Sequence, residues 1–137
     1  MKKQLLIALG LSSLATIHLH AQPAFQGDLL TDPAGKTLYV FDKDQAGKSN
    51  CSGACLQAWP AYTADAASGT EGASTAVGRL ASQGVQQWTW NKLPLYYFAG
   101  DQKPGDRTGD GSGGVWHVVK RSAPAAVTST TTPGYSY

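Results

Sequence analysis

The sequence predicts a mainly β protein in which two tandem hairpin-containing repeats pack as one small domain, with one short helical turn near Cys51 to Trp59. The first observation behind this is a repeated phrase. Leu38-Tyr39-Val40-Phe41, followed by Asp44-Gln45, returns 57 positions later as Leu95-Tyr96-Tyr97-Phe98, followed by Asp101-Gln102. The same offset lays Trp59 over Trp116. Shared aromatics at a fixed offset mark an internal duplication, and a duplication implies two copies of one structural unit. The second observation is texture: from Gly27 to Arg121 the chain is dense in aromatic and β-branched residues, broken by Gly, Pro and Asp. The third is the scarcity of helix, confined to about two turns that Pro60 must stop.

Taken in order, residues 1–21 read as a signal peptide. Met1-Lys2-Lys3 is a basic start, Leu5 to Leu14 is apolar but too short to span a bilayer, and Ala21 is a small residue at the expected cut. No cysteine stands there to carry lipid, so export without a membrane anchor is the expectation. Residues 22–26 read as a short linker. The domain then runs from 27 to 121. Asp28 to Thr31, the turn Asp32-Pro33-Ala34-Gly35 and Thr37 to Phe41 form the first predicted hairpin. Val85 to Trp90, Asn91-Lys92 and Pro94 to Phe98 form the second. Alternation places Tyr39 and Phe41 on one face and Leu38 on the other, with Tyr96, Phe98 and Leu95 repeating the arrangement. Val115 to Val119 is a further strand, its inner side carrying Trp116 and Val118, with His117 facing out. Residues 64–78 read as a loop between repeats. Residues 122–137, uncharged and rich in Ser, Thr, Pro and Ala, read as a disordered tail, because such a composition buries too little apolar surface to offset ordering entropy.

Charge excludes one class of partner. Lys2 and Lys3 leave with the signal, and the nine remaining basic residues balance nine acidic ones. No basic stripe survives to bind nucleic acid or an anionic membrane.

Cys51-Ser52-Gly53-Ala54-Cys55 is confined to the first repeat. In an oxidising compartment a structural disulfide is the first reading. A redox-active thiol pair is the second, and a soft-metal site is the third: Cys51 and Cys55 joined by His117, the one histidine left after the signal, would suit copper. That set offers three ligands at most, and C-x-x-C-H, which a c-type haem needs, is absent. Otherwise no cofactor is expected. The loops beginning at Asp42 and Asp106 open like calcium loops. Neither finishes one, since Ala46 replaces a ligand and the twelfth positions are Gly53 and His117. Asp44 and Asp101 occur in both copies and read as turn-fixing residues, not as a catalytic carboxylate pair. The four tryptophans read first as core and second as a sugar-binding groove.

Tyr39-x-Phe41-x-x-Asp44 and Tyr96-x-Phe98-x-x-Asp101 resemble the Y-x-[FWY]-x-x-D motif of a family of bacterial secreted repeat proteins, mostly predicted lipoproteins. The runs from Leu38 through Cys51 and Cys55 to Pro60, and from Asn91 through Pro104-Gly105-Asp106 to Trp116, are similar to its two repeats. The resemblance implies a tandem fold and an envelope location, periplasmic or secreted, but no activity, since the family's function is unknown. The expected function is therefore a non-enzymatic exported module, structural or ligand-binding. Redox or copper handling through the C-x3-C pair is the alternative.

Overall fold

The computed structural model describes residues 22–65 and 75–122. The expected signal peptide and all but the first residue of the expected tail lie outside them. Eight short strands, one helix and one 3-10 turn make up the described chain: β1 (Ala24–Gln26), β2 (Leu29–Thr31), β3 (Tyr39–Phe41), α1 (Ala54–Ala58), β4 (Thr63–Ala64), β5 (Val77–Ser82), β6 (Val85–Trp90), β7 (Leu93–Pro94), the turn Ser112–Gly114, and β8 (Trp116–Val118).

Both repeats are meanders built on one plan. β1 and β2 pair antiparallel about Gly27-Asp28, and β5 and β6 pair about Gln83-Gly84. These are two-residue turns, and Gly27 and Gly84 take the positive φ that such turns demand. A second turn then brings Thr37 opposite Thr31 and Pro94 opposite Thr89. The buried leucines close it identically, Leu38 N–H to Leu30 C=O and Leu95 N–H to Trp88 C=O, at 3.0 and 2.9 Å.

Two expectations need correction. The stretch 22–26 is not a linker, because Ala24–Gln26 forms β1, tied in register to Thr31, Leu30 and Leu29. Phe25 lends it an apolar anchor, its ring edge-on to Trp90 at 5.2 Å. The loop expected over 64–78 is too wide at both ends, since Ala64 belongs to β4 and Val77 and Gly78 to β5. Its middle, 66–74, lies outside the described residues. The first hairpin is also shorter than predicted. Past Leu38 the chain leaves β2, because Tyr39–Phe41 pairs with Trp116–Val118 on one edge while Tyr39 meets Tyr96 on the other.

That departure joins the repeats. Tyr39 pairs with Val118, and Tyr96 pairs with Ala61, the residue 57 positions before Val118. Lys120 bridges to Leu29 as Thr63 pairs with Gln87. Each unit is thus completed by the segment that follows the other repeat's Trp-bearing loop. Between the units, Tyr39 N–H donates to Tyr96 C=O at 2.8 Å and Tyr96 N–H donates to Tyr39 C=O at 3.0 Å. This reciprocal pair lies on a pseudo-twofold axis.

Alternation along the central strands divides the interior into two clusters, as the period-two pattern predicts. Tyr39, Tyr96, Trp59, Trp116, Leu29, Val118 and Cys51 fill one, with Phe41 and Phe98 packed against it. Leu30, Leu38, Leu95, Trp88, Tyr62 and Ala64 fill the other.

Candidate functional site

The duplicated motif residues converge on the axis. Each tyrosine reaches across to the other repeat's aspartate: Tyr39 Oη donates to Asp101 Oδ2 and Tyr96 Oη donates to Asp44 Oδ2, both at 2.7 Å. Both rings are fully buried, and both carboxylates are nearly so. A tight turn aims each aspartate, its N–H returning to the carbonyl of Phe41 or Phe98. The second carboxylate oxygen then ties down the following loop. Asp44 Oδ1 accepts from Asn50 N–H at 2.6 Å, while Asp101 Oδ1 accepts from Thr108 N–H at 2.9 Å and Thr108 Oγ1 at 2.6 Å. Buried carboxylates need such donors, and here every oxygen has one.

Four rings stack through the axis. Trp59 and Trp116 lie face to face, centroids 3.9 Å apart and planes 3° from parallel. Phe41 covers Trp116 at 4.2 Å and Phe98 covers Trp59 at 4.5 Å. The two tyrosines stand edge-on to the pair, Tyr39 to Trp59 at 5.3 Å and Tyr96 to Trp116 at 5.2 Å. The Phe–Trp and Tyr–Trp contacts of one half thus have counterparts in the other, although Phe98 is tilted 34° to Trp59 where Phe41 lies 13° from Trp116. Glycine permits the close approach on one side: a methyl at Gly109 would stand 2.6 Å from Trp59 Cη2 and 2.8 Å from Phe98 Cγ.

Electrostatics follow burial. Desolvation, reinforced by the bond to Asp101, pushes the Tyr39 phenol well above its ordinary 10.0, and desolvation does the same for Tyr96. Tyr62 and Tyr97 are raised by burial and then by Asp32, which accepts Tyr97 Oη at 2.8 Å. Burial also raises the Asp44 carboxyl, against the lowering effect of the Asn50 N–H and the Tyr96 hydroxyl.

The remaining predicted residues lie elsewhere. Cys51 and Cys55 form a disulfide with Cα atoms 5.4 Å apart. Cys51 is fully buried, and its carbonyl accepts from Gln83 Nε2 at 3.0 Å. His117 is half-exposed on β8 opposite Val40, with Nε2 2.8 Å from Asp42 Oδ2. The structure therefore does not gather Cys51, Cys55 and His117, and among the described residues no group of three or more His, Cys, Asp or Glu is placed to hold a metal ion. Of the two calcium-like loops, Asp44 is committed to Tyr96 and Asn50. Asp106 is committed to Gln102 N–H and Lys103, contacts that hold its carboxyl below the usual range. Trp59, Trp88 and Trp116 are buried in the interior, which removes them from any sugar-binding surface.

Sequence reasoning missed Ser49, whose hydroxyl lies 2.6 Å from Tyr96 Oη, as well as Asn50 and the Tyr97–Asp32 bond. A search for polar residues six or seven after each motif aspartate would have found Asn50 and Thr108.

The paired contacts of the two halves have a counterpart in sequence. The profile of a family described as a secreted repeat of unknown function matches residues 24–72 and again residues 80–120. The chain belongs to that family. The two matched segments correspond to the two meanders, each with the tryptophan-bearing segment that follows it. No curated protein and no solved structure matches the chain. No helix among the described residues is long and apolar enough to cross a membrane.

Proposed function

We propose that this secreted repeat protein is a non-enzymatic structural module of the cell envelope, in which the duplicated motif is the device that locks two half-domains together. One observation carries the reading: the shared polar groups, Tyr39, Tyr96, Asp44 and Asp101, satisfy one another across the repeat boundary. A catalytic carboxylate must reach a substrate proton, whereas these face inward onto tyrosines of their own chain. The test is complementation of a strain lacking the gene with Tyr39→Phe/Tyr96→Phe. At matched levels of folded, exported protein the variant should restore any envelope defect in full. Loss of function at matched folded level would overturn the structural reading.

A second reading, thiol–disulfide or copper handling, is favoured by the confinement of the cysteine pair to one repeat and by the half-buried position of Cys55. It requires the bridge to open under glutathione-like buffers and to load Cu(I), with loading lost in Cys51→Ser. A bridge that stays closed in those buffers would eliminate it.

A further inference from the structure

We propose that the ring cluster on the axis is a site of reversible one-electron oxidation, in which Trp59 and Trp116 receive the hole and Tyr39 or Tyr96 holds it as a neutral tyrosyl radical. The activity goes beyond the structural role and rests on different features of the same residues. Three features of the geometry lead to it.

The first is the cofacial indole pair. At 3.9 Å and 3° from parallel, the two π-systems overlap and share a positive charge that one indole would carry alone. The second is the contact of each indole with a phenol, at 5.3 and 5.2 Å between ring centroids. The third is the base. A phenol that loses an electron becomes strongly acidic, and its oxidation is easy only where the proton has somewhere to go. Asp101 and Asp44 each accept that proton along an existing bond of 2.7 Å, within the reach that proton transfer requires.

The step balances as follows. A one-electron oxidant, such as a diffusing inorganic radical or an oxidised metal complex, removes one electron from the indole pair and is itself reduced. Tyr39 then gives one electron to the indole radical cation while its hydroxyl proton moves to Asp101 Oδ2. The products are a neutral indole pair, a tyrosyl radical and a protonated Asp101. A one-electron reductant such as ascorbate reverses the step, returning the electron to the phenoxyl oxygen as the proton comes back from Asp101. Tyr96 and Asp44 offer the same path in the other half.

The surroundings favour this destination. The sequence has one methionine, Met1 at its start, and its two cysteines are joined, so no thiol among the described residues competes for the hole. Phe41 and Phe98, which resist oxidation, cover the outer faces of the indoles. Both tyrosine rings have no exposed surface, which prevents two radicals on different molecules from coupling. Tyr97 also donates to an aspartate, at 2.8 Å from Asp32, but its ring lies against Tyr62 in the other cluster and is only partly buried. It serves as an internal control.

The experiment uses the exported protein with its disulfide intact. A flash-generated ruthenium(III) complex supplies the oxidant, and transient absorption and electron paramagnetic resonance read the radical. The expected result is an indole signal that decays into a tyrosyl signal outliving that of the urea-unfolded chain by an order of magnitude and vanishing on addition of ascorbate. Tyr39→Phe/Tyr96→Phe should abolish the long-lived tyrosyl signal and prolong the indole one, whereas Tyr97→Phe should change neither. Deuterated tyrosine in the unsubstituted protein checks the assignment should the double variant fail to fold. A tyrosyl radical no longer-lived than in the unfolded chain, or one abolished by Tyr97→Phe instead, would overturn the proposal.

Discussion

In the first repeat, Trp59 sits just past α1, its N–H bonded to Cys55 C=O, and a disulfide closes the turn that leads into that helix. In the second, Trp116 follows a glycine-rich stretch, Gly109 to Gly114, with no cysteine and a single 3-10 turn. Asp44 anchors its loop through one backbone donor from Asn50, while Asp101 anchors its loop through both N–H and hydroxyl of Thr108. The outer hairpins differ too, three residues per strand in β1 and β2 against six in β5 and β6. The Tyr–Asp bonds and the ring stack on the axis are duplicated, while the loops that carry Trp59 and Trp116 differ. A pseudo-twofold interface constrains both halves at once, as an isologous contact does in a dimer, because each residue must fit its own counterpart. The supporting loops meet no such condition: one is cross-linked and the other is glycine-rich.

The largest expected effects come from the axis. Trp59→Ala and Trp116→Ala should each cost about 3–5 kcal/mol of unfolding free energy, the range for removing a buried aromatic. Denaturant titration should find the two equal to within about 0.5 kcal/mol. A clear inequality would break the equivalence of the halves. Opening the bridge should act on one half alone. Cys51→Ser with Cys55→Ser should cost about 2 kcal/mol, since closing a small ring constrains the unfolded chain modestly. Hydrogen exchange should then accelerate around α1 and leave the Gly109–Trp116 loop unchanged.

A pH titration sharpens the comparison further. The folded-state phenols of Tyr39, Tyr62, Tyr96 and Tyr97 are raised above the 10.0 of the unfolded chain. Above that value the unfolded chain has released protons that the folded chain still holds. Stability should therefore stay level up to about pH 10 and fall beyond it, by about 1.4 kcal/mol per pH unit for each such tyrosine. Tyr39→Phe and Tyr96→Phe should flatten that slope by equal amounts. Unequal flattening would mean that the two halves bury their tyrosines differently.

Much of this was legible in the sequence because the constraint on the axis is written twice. The offset that lays Tyr39 on Tyr96 and Trp59 on Trp116 also relates their contacts, and period-two alternation correctly assigned Leu38 and Leu95 to a separate cluster from Tyr39 and Tyr96. The direction of the bonds was not legible. Asp44 and Asp101 read from the sequence as turn-fixing residues, yet each also accepts the Tyr of the other copy, 62 positions away for Tyr39 and 52 for Tyr96. Only the crossing of β3 over Tyr96 determines this, and strand crossing leaves no local signal. β1 was missed for a similar reason: three residues carry too little pattern to distinguish a strand from a linker.

The most direct test of the clasp is a pair of double-mutant cycles. Hydrogen bonds to charged groups contribute about 1.5–3 kcal/mol, so Tyr39→Phe and Asp101→Asn should show a coupling energy above about 1 kcal/mol. Tyr39→Phe and Asp44→Asn, which share one repeat and no bond, should be additive to within about 0.5 kcal/mol. Additivity in the first pair with strong coupling in the second would place the bond inside each repeat and contradict the account.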